Sequence, residues 1–158
     1  MTPKEKILKN SIEFRGLIIN EVTILERWID VYIAYYFCTK QEKVNEMVEL
    51  VLGNNRISLD GKRKLLDVIL ERQNPAIWKS YPNFHADMNT TMKERNFFAH
   101  NFVNFSDEGK ARCDNEVGLI IYSHKTRTAW YDRKKIDEIL TTIRRCISVI
   151  EILHTQPQ

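Results

Sequence analysis

The sequence predicts a mainly α-helical fold: an antiparallel helical bundle with a small β-hairpin inserted before its last helix. Three observations carry this expectation. Apolar residues recur at three- and four-residue spacing over long stretches toward both ends of the chain. Only 5 Gly and 4 Pro interrupt the 158 residues. One stretch, about residues 110–131, is instead rich in β-branched and aromatic residues set between turn signals. The length fits a single domain, residues 1–158, able to build a core without disulfides or metals. Short connections favour antiparallel neighbours in a bundle.

The first helix is expected from about Asn10 to Cys38, because Phe14, Ile18, Val22, Leu25, Trp28, Ile29, Tyr32 and Tyr36 repeat helically. Glu21 interrupts the edge of this stripe. It reads either as a boundary carboxylate reaching solvent or as the partner of a buried cation such as Arg95. The stretch "QEKVNEMVELVLG" follows, with Val44, Met47, Val48 and Val51 on one face and Gly53 as a stop. In "SLDGKRKLLDVILERQNP", Leu65, Leu66, Ile69 and Leu70 form a buried face. Ser58 or Asp60 caps that helix and Asn74–Pro75 ends it. A fourth helix is expected after Pro82, running to about His100. "VGLIIYS" and "TRTAWYD" read as a hairpin around a turn at Ser123, His124 and Lys125, with "KARC" as a third short strand. Asp132 is the expected N-cap of a last helix that buries Ile136, Ile139, Leu140, Ile143, Ile147, Ile150 and Leu153. The tail "TQPQ" should be loose.

Composition narrows the function classes. The chain is 43% hydrophobic and 28% charged, as expected of a soluble globular protein. No apolar run reaches membrane-spanning length, since Glu21, Glu26, Arg27 and Asp30 break the longest one. The first residues, "MTPKEKILKNSIEF", lack the apolar region of a signal peptide. Cys38, Cys113 and Cys146 are far apart and form no C-x-x-C pair, so they read as reduced thiols in a cytoplasmic protein. His85, His100, His124 and His154 show no zinc spacing, so neither a metal nor another cofactor is expected. A net charge of +3 leans weakly toward polyanions. The basic clusters Lys62–Arg63–Lys64, Arg133–Lys134–Lys135 and Arg144–Arg145 read as solvated helix faces rather than a nucleic-acid footprint.

One stretch stands apart: "KERNFFAHNF", residues 93–102, sets Arg95, Asn96 and His100 among phenylalanines. On a helix, Phe84, Met88, Met92, Arg95, Ala99 and Phe102 fall near one stripe, so Arg95 occupies an apolar position. Asn96 and His100 are four apart and share a face. Arg95 and His100 are five apart, roughly 140° around an ideal helix. They meet one ligand only if the helix ends or distorts near His100, or if a second subunit completes the site. Asn101 is an acceptable C-cap, and a helix C-terminus favours the imidazolium form. An arginine suits a phosphate, an asparagine can orient the histidine, and a histidine can take and give a proton. Such a set could cleave RNA without metal. An Arg and a His at this spacing also occur as a plain salt bridge and a satisfied core histidine.

The segment "RNFFAH", Arg95 to His100, resembles the signature of the HEPN superfamily: Arg, a polar residue that is typically Asn, then His a few positions on. Its place, late in a helix of an α bundle that follows a long first helix, is similar too. The resemblance extends loosely over about residues 10–155, and only the six-residue motif is specific. The hairpin looks like a subfamily insertion. The resemblance implies a metal-independent endoribonuclease of a toxin–antitoxin or defence system. It would be a homodimer whose two motifs face one cleft. Arg95 would bind phosphate, His100 would act as acid and base, and Asn96 would support both. RNA would be the substrate, with an antitoxin or a nucleotidyltransferase as candidate partner. The alternative is a non-catalytic HEPN module that binds a nucleotide or a partner. Glu21 as a supporting residue rests on the apolar stripe alone.

Overall fold

In the computed structural model, which describes residues 1–53, 56–73 and 75–155, helix α1 runs from Pro3 to Phe37. It begins well before the expected Asn10. The cause is local: Thr2 Oγ1 accepts from the Glu5 N–H, and the Glu5 carboxylate accepts from the Thr2 N–H. With Pro3 at the first helical position, this capping box fixes the start. The polar first turn hid it from a search for apolar periodicity. Ile7, Phe14, Ile18, Val22, Leu25, Ile29 and Tyr32 form the buried stripe.

Helix α2, Gln41–Glu46, runs on into a π-helical segment, Met47–Leu52. The expected inward set included Val51. The structure instead buries Val44, Val48 and Leu52 and exposes Val51. The wide turn closes with the Gly53 N–H on the Val48 carbonyl, at 2.6 Å, and shifts the inward position by one residue. Helix α3, Leu59–Gln73, is capped by Ser58, whose Oγ accepts from the Gly61 N–H at 3.1 Å. Leu66, Ile69 and Leu70 are buried, and Leu65 packs partly buried against them. Of the expected stop at Asn74–Pro75, Asn74 lies outside the described residues, as do Gln156–Gln158 of the tail.

A short helix, α4, Ile77–Ser80, precedes α5, Phe84–His100. The chain then forms strand β1, Phe102–Val103, helix α6, Asp107–Arg112, and strands β2, Glu116–Ile121, and β3, Arg127–Asp132. These strands make an antiparallel sheet in the order β1-β2-β3, with Phe102 opposite Ile120 and Leu119 opposite Ala129. The hairpin is as expected, but the third strand is not "KARC". Lys110–Arg112 end α6, which Ser106 caps by accepting from the Gly109 N–H at 3.4 Å. Asp107 and Glu108 in its first turn and Lys110 and Arg112 in its last complement the helix dipole. Gly118 is required in β2: a Cβ there would stand 2.7 Å from the Trp130 ring and 2.8 Å from Thr128 Cγ2. Helix α7, Arg133–Thr155, starts where Asp132 Oδ1 accepts from the Lys135 N–H at 2.7 Å. All seven expected apolar positions of α7 are buried, together with Cys146 and Val149.

The fold is thus mainly α, with a small antiparallel sheet before the last helix. Helix α1 is its spine, packing against α7, α3 and α5. Most of the buried apolar side chains of helices and sheet form one continuous cluster. Each fully buried Ile or Leu, such as Ile18, Leu25 or Leu70, contributes about 1.5–3 kcal/mol of transfer free energy.

One basic residue departs from the expected solvated face. Lys62 is only 2% exposed. Its Nζ donates to Glu26 Oε1 at 2.5 Å and to Asp30 Oδ2 at 3.0 Å. Asp30 Oδ1 is also 2.9 Å from Nζ but makes no hydrogen bond, so it is held by charge alone. Burial pushes the Asp30 carboxyl above its ordinary range, against the opposing pull of Lys62. The two carboxylates on α1 explain the position. Glu26 and Asp30 are four apart, share a face, and neutralise a lysine that the α1–α3 packing encloses.

Candidate functional site

Helix α5 carries the RNFFAH segment. Its buried line is Phe84, Met88, Thr91 and Phe98, not the stripe through Met92, Arg95 and Ala99. Arg95 therefore lies on the flank of the helix. It is half-buried and lines a cleft. Its Nη1 donates to Asn96 Oδ1 at 3.0 Å. Among the described residues no carboxylate lies within 4.0 Å of it. The neighbouring Glu94 is fixed elsewhere, accepting from the Tyr131 hydroxyl at 3.0 Å. Tyr131 is buried, which pushes its phenol well above the usual range, and the Glu94 charge adds to this.

Arg95 and Asn96 face a cleft of about 330 Å³ between α1, the start of α3 and α5. Glu26, Ser58, Asp60 and Met92 also line it. Asp60 is drawn below the ordinary carboxylate range by hydrogen bonds from Lys64 and Arg63. The cleft thus sets the Arg95 guanidinium near two carboxylates that other cations engage, Glu26 by Lys62 and Asp60 by Lys64 and Arg63.

His100 is the last residue of α5 and is exposed. The helix stays regular up to it. Asn101 then turns extended, its N–H and its side-chain amide both donating to the Phe97 carbonyl. His100 opens onto a second groove of about 570 Å³ that also holds Ser11, Ile12 and Arg15 of α1 and Phe102 and Phe105. The structure therefore does not bring Arg95 and His100 into one cleft within a single chain. The roughly 140° separation persists because no distortion relieves it.

Glu21 is placed on another face. Its Oε1 accepts from Nη2 and Nε of Arg144, at 2.6 and 3.0 Å, and so ties α1 to α7. It partners Arg144, not Arg95. The remaining basic clusters are similarly engaged: Arg145 with Asp87, Arg133 with Glu13, and Arg63 with Asp60 and Asp67. The cysteines are free thiols, and burial pushes Cys146 up to about 12, so it stays protonated and unsuited to nucleophilic attack.

Two residues of this region escape sequence reading. Arg15 lies in the expected first helix but off its apolar stripe, with nothing to connect it to His100. Its Nη2 donates to the Asn101 carbonyl at 2.5 Å, bracing the end of α5. Asn104 is 6% exposed and pins the segment after His100. Its N–H donates to the Gly118 carbonyl, its Nδ2 to Thr128 Oγ1, and its Oδ1 accepts from the Ser106 N–H. Asparagine in a loop is too common a turn residue to announce this role.

Among the described residues, no group of three or more His, Cys, Asp or Glu side chains could hold a metal ion, and no helix is long and apolar enough to cross a membrane. Compared with known proteins, the chain matches no family model, no curated protein and no solved structure.

Proposed function

We propose that the protein is a metal-independent endoribonuclease of HEPN type. It acts as a homodimer in which Arg95 of one chain and His100 of the other serve one scissile phosphate. The observation that carries this reading is the availability of the motif. Among the described residues, Arg63, Arg112, Arg133, Arg144 and Arg145 pair with carboxylates, whereas Arg95 has none within 4.0 Å and the His100 imidazole makes no hydrogen bond. The two open onto different clefts, so a second copy is the route by which they converge.

The chemistry follows from these groups. His100 removes the proton of the ribose 2′-OH, or protonates the departing 5′-oxygen. The 2′-oxygen attacks phosphorus and the P–O5′ bond breaks. Arg95 offsets the charge of the pentacoordinate phosphorus, and Asn96 fixes the guanidinium through its 3.0 Å hydrogen bond. The products are a 2′,3′-cyclic phosphate, opening to a 3′-phosphate, and a 5′-OH. Unpaired RNA suits this path, because it can align its 2′-OH with phosphorus. A toxin or defence role, with an antitoxin or nucleotidyltransferase as partner, belongs to the same reading.

The test is cleavage of a labelled RNA pool, with and without EDTA, by wild type, Arg95→Ala and His100→Ala. EDTA-resistant cleavage lost in both variants, at unchanged helicity and native mass, supports the proposal. A strict need for divalent metal contradicts it. The separation of Arg95 from His100 favours one rival, a non-catalytic module in which Arg95, Asn96 and Ser58 hold a nucleotide or a partner protein. A well-folded wild type that cuts no RNA but binds a nucleotide, with binding lost in Arg95→Ala and kept in His100→Ala, would select it.

A further inference from the structure

The groove beside His100 has the makings of a single-stranded RNA site within one chain. Arg15 enters it from α1. Its Nη2 is committed to the Asn101 carbonyl, its Nε is buried without a partner, and among the described residues no carboxylate lies within 4.0 Å. The guanidinium is therefore held in place while its charge stays uncompensated. Two exposed aromatics line the groove with it, Phe102 at 68% and Phe105 at 38% exposure, and Tyr122, 67% exposed, flanks Phe102. The Phe102 and Tyr122 rings lie 6.2 Å apart, edge to face.

These rings sit on a built support. Phe102 is paired in register with Ile120, and Asn104 locks the next turn with three hydrogen bonds. An apolar partner alone would cover the rings but strand the Arg15 charge, which is costly without a matching anion. A polynucleotide supplies both needs at once: an anionic phosphate for the cation and flat bases for the rings. A duplex offers the phosphate but keeps its bases stacked inside.

We propose that this groove binds single-stranded RNA at His100, with Arg15 holding a backbone phosphate, Phe102 stacking the adjoining base and Tyr122 flanking that base edge-on. The inference rests on the ribonuclease reading for its ligand, but it assigns residues that reading does not use. It gives His100 a cation from its own chain.

The test uses the full chain carrying His100→Ala, which stops turnover, and a fluorescent single-stranded RNA oligonucleotide titrated at several salt concentrations. Adding Arg15→Gln should weaken binding and reduce the slope of log affinity against log salt by about 0.7, the single-strand value for one phosphate contact. Adding Phe102→Ala should weaken binding about tenfold and leave the slope unchanged. Lys134→Gln, at an exposed position on α7, should change affinity little. Glutamine keeps an N–H donor but has a shorter reach than arginine. If Arg15→Gln loses helicity, Arg15→Lys should keep both the fold and the salt slope. RNA binding that is indifferent to Arg15 and Phe102 overturns the proposal, and a native mass that halves in Phe102→Ala overturns it by making the ring a subunit contact. Wild-type cleavage with intact binding in the groove variants sinks this inference alone. Absence of both cleavage and binding in the wild type sinks the ribonuclease reading with it.

Discussion

Two regions of the molecule handle charge in opposite ways. Between α1 and α3, Lys62 is enclosed with Glu26 and Asp30, and the fold satisfies the lysine entirely from within. At the end of α5, Arg15 and His100 stand beside exposed rings, and among the described residues neither has a carboxylate within 4.0 Å. An interior charge is tolerated only with its partners in place, so the first cluster is tied to stability. An unpaired charge at the surface costs little and stays free for a ligand. Under the proposed function, the signal lies in the unpaired groups on and beside α5, and the buried Lys62 cluster is architecture.

The sharpest way to break this contrast is Lys62→Met. It removes the cation and leaves Asp30 buried and uncompensated, so we expect a loss of about 3–5 kcal/mol in urea unfolding. A loss under about 1 kcal/mol would mean that water reaches the cluster and that the two regions do not differ in kind.

Asn104→Ala comes next, because it tests whether the exposed region is itself supported from beneath. Losing the Asn104 side chain leaves Thr128 Oγ1 and the Ser106 N–H without their partners. A cost of about 1–3 kcal/mol is expected. Faster hydrogen exchange confined to residues 102–106 and to β2 should accompany it. Exchange that rises evenly over the whole chain would show that Asn104 serves the core rather than this surface.

A smaller effect comes from pH. Asp30 titrates above its ordinary value in the folded state, so the folded protein binds that proton more tightly than the unfolded chain does. Its contribution to stability is fully present below the unfolded value, near 3.8, and is lost as pH rises through the folded value. Asp60 has the opposite sign, since its lowered value stabilises above that point and fades as pH falls. The stability margin of wild type over Asp30→Asn should thus shrink as pH climbs from 3.8, whereas the margin over Asp60→Asn should grow. Margins that move in parallel would contradict the burial of Asp30.

Where the sequence could be read, one physical rule dominated. The stripes of α1 and α7, the caps at Asp132 and Ser58 and the β2–β3 hairpin all follow from local pattern, and the structure contains them. The misses arise from tertiary context. Lys62 belongs to a basic run, and only the packing of α3 on α1 encloses it. Val51 turns outward because of a π turn that no periodicity announces. Within the candidate site, Arg95, Asn96 and His100 were legible as a motif, but their division between two clefts was not, because it depends on which line of α5 faces the core. Arg15 and His100 are far apart in sequence and meet only in the folded chain.

The smallest expected effect is the most telling for the contrast. If Arg95 and His100 are free for a ligand, then Arg95→Gln and His100→Ala should each unfold within about 0.5 kcal/mol of wild type. Neither residue fills the core, caps a helix or neutralises a buried charge. Among the described residues, Arg95 gives up one hydrogen bond, to its exposed neighbour Asn96, and His100 gives up none. A penalty above about 1 kcal/mol at either position would show that its side chain supports the fold. That residue would then join Lys62 on the architectural side, and losing RNA cleavage with it would no longer indicate catalysis. Near-neutral stability beside a lost activity is the outcome that ties the unpaired groups to function.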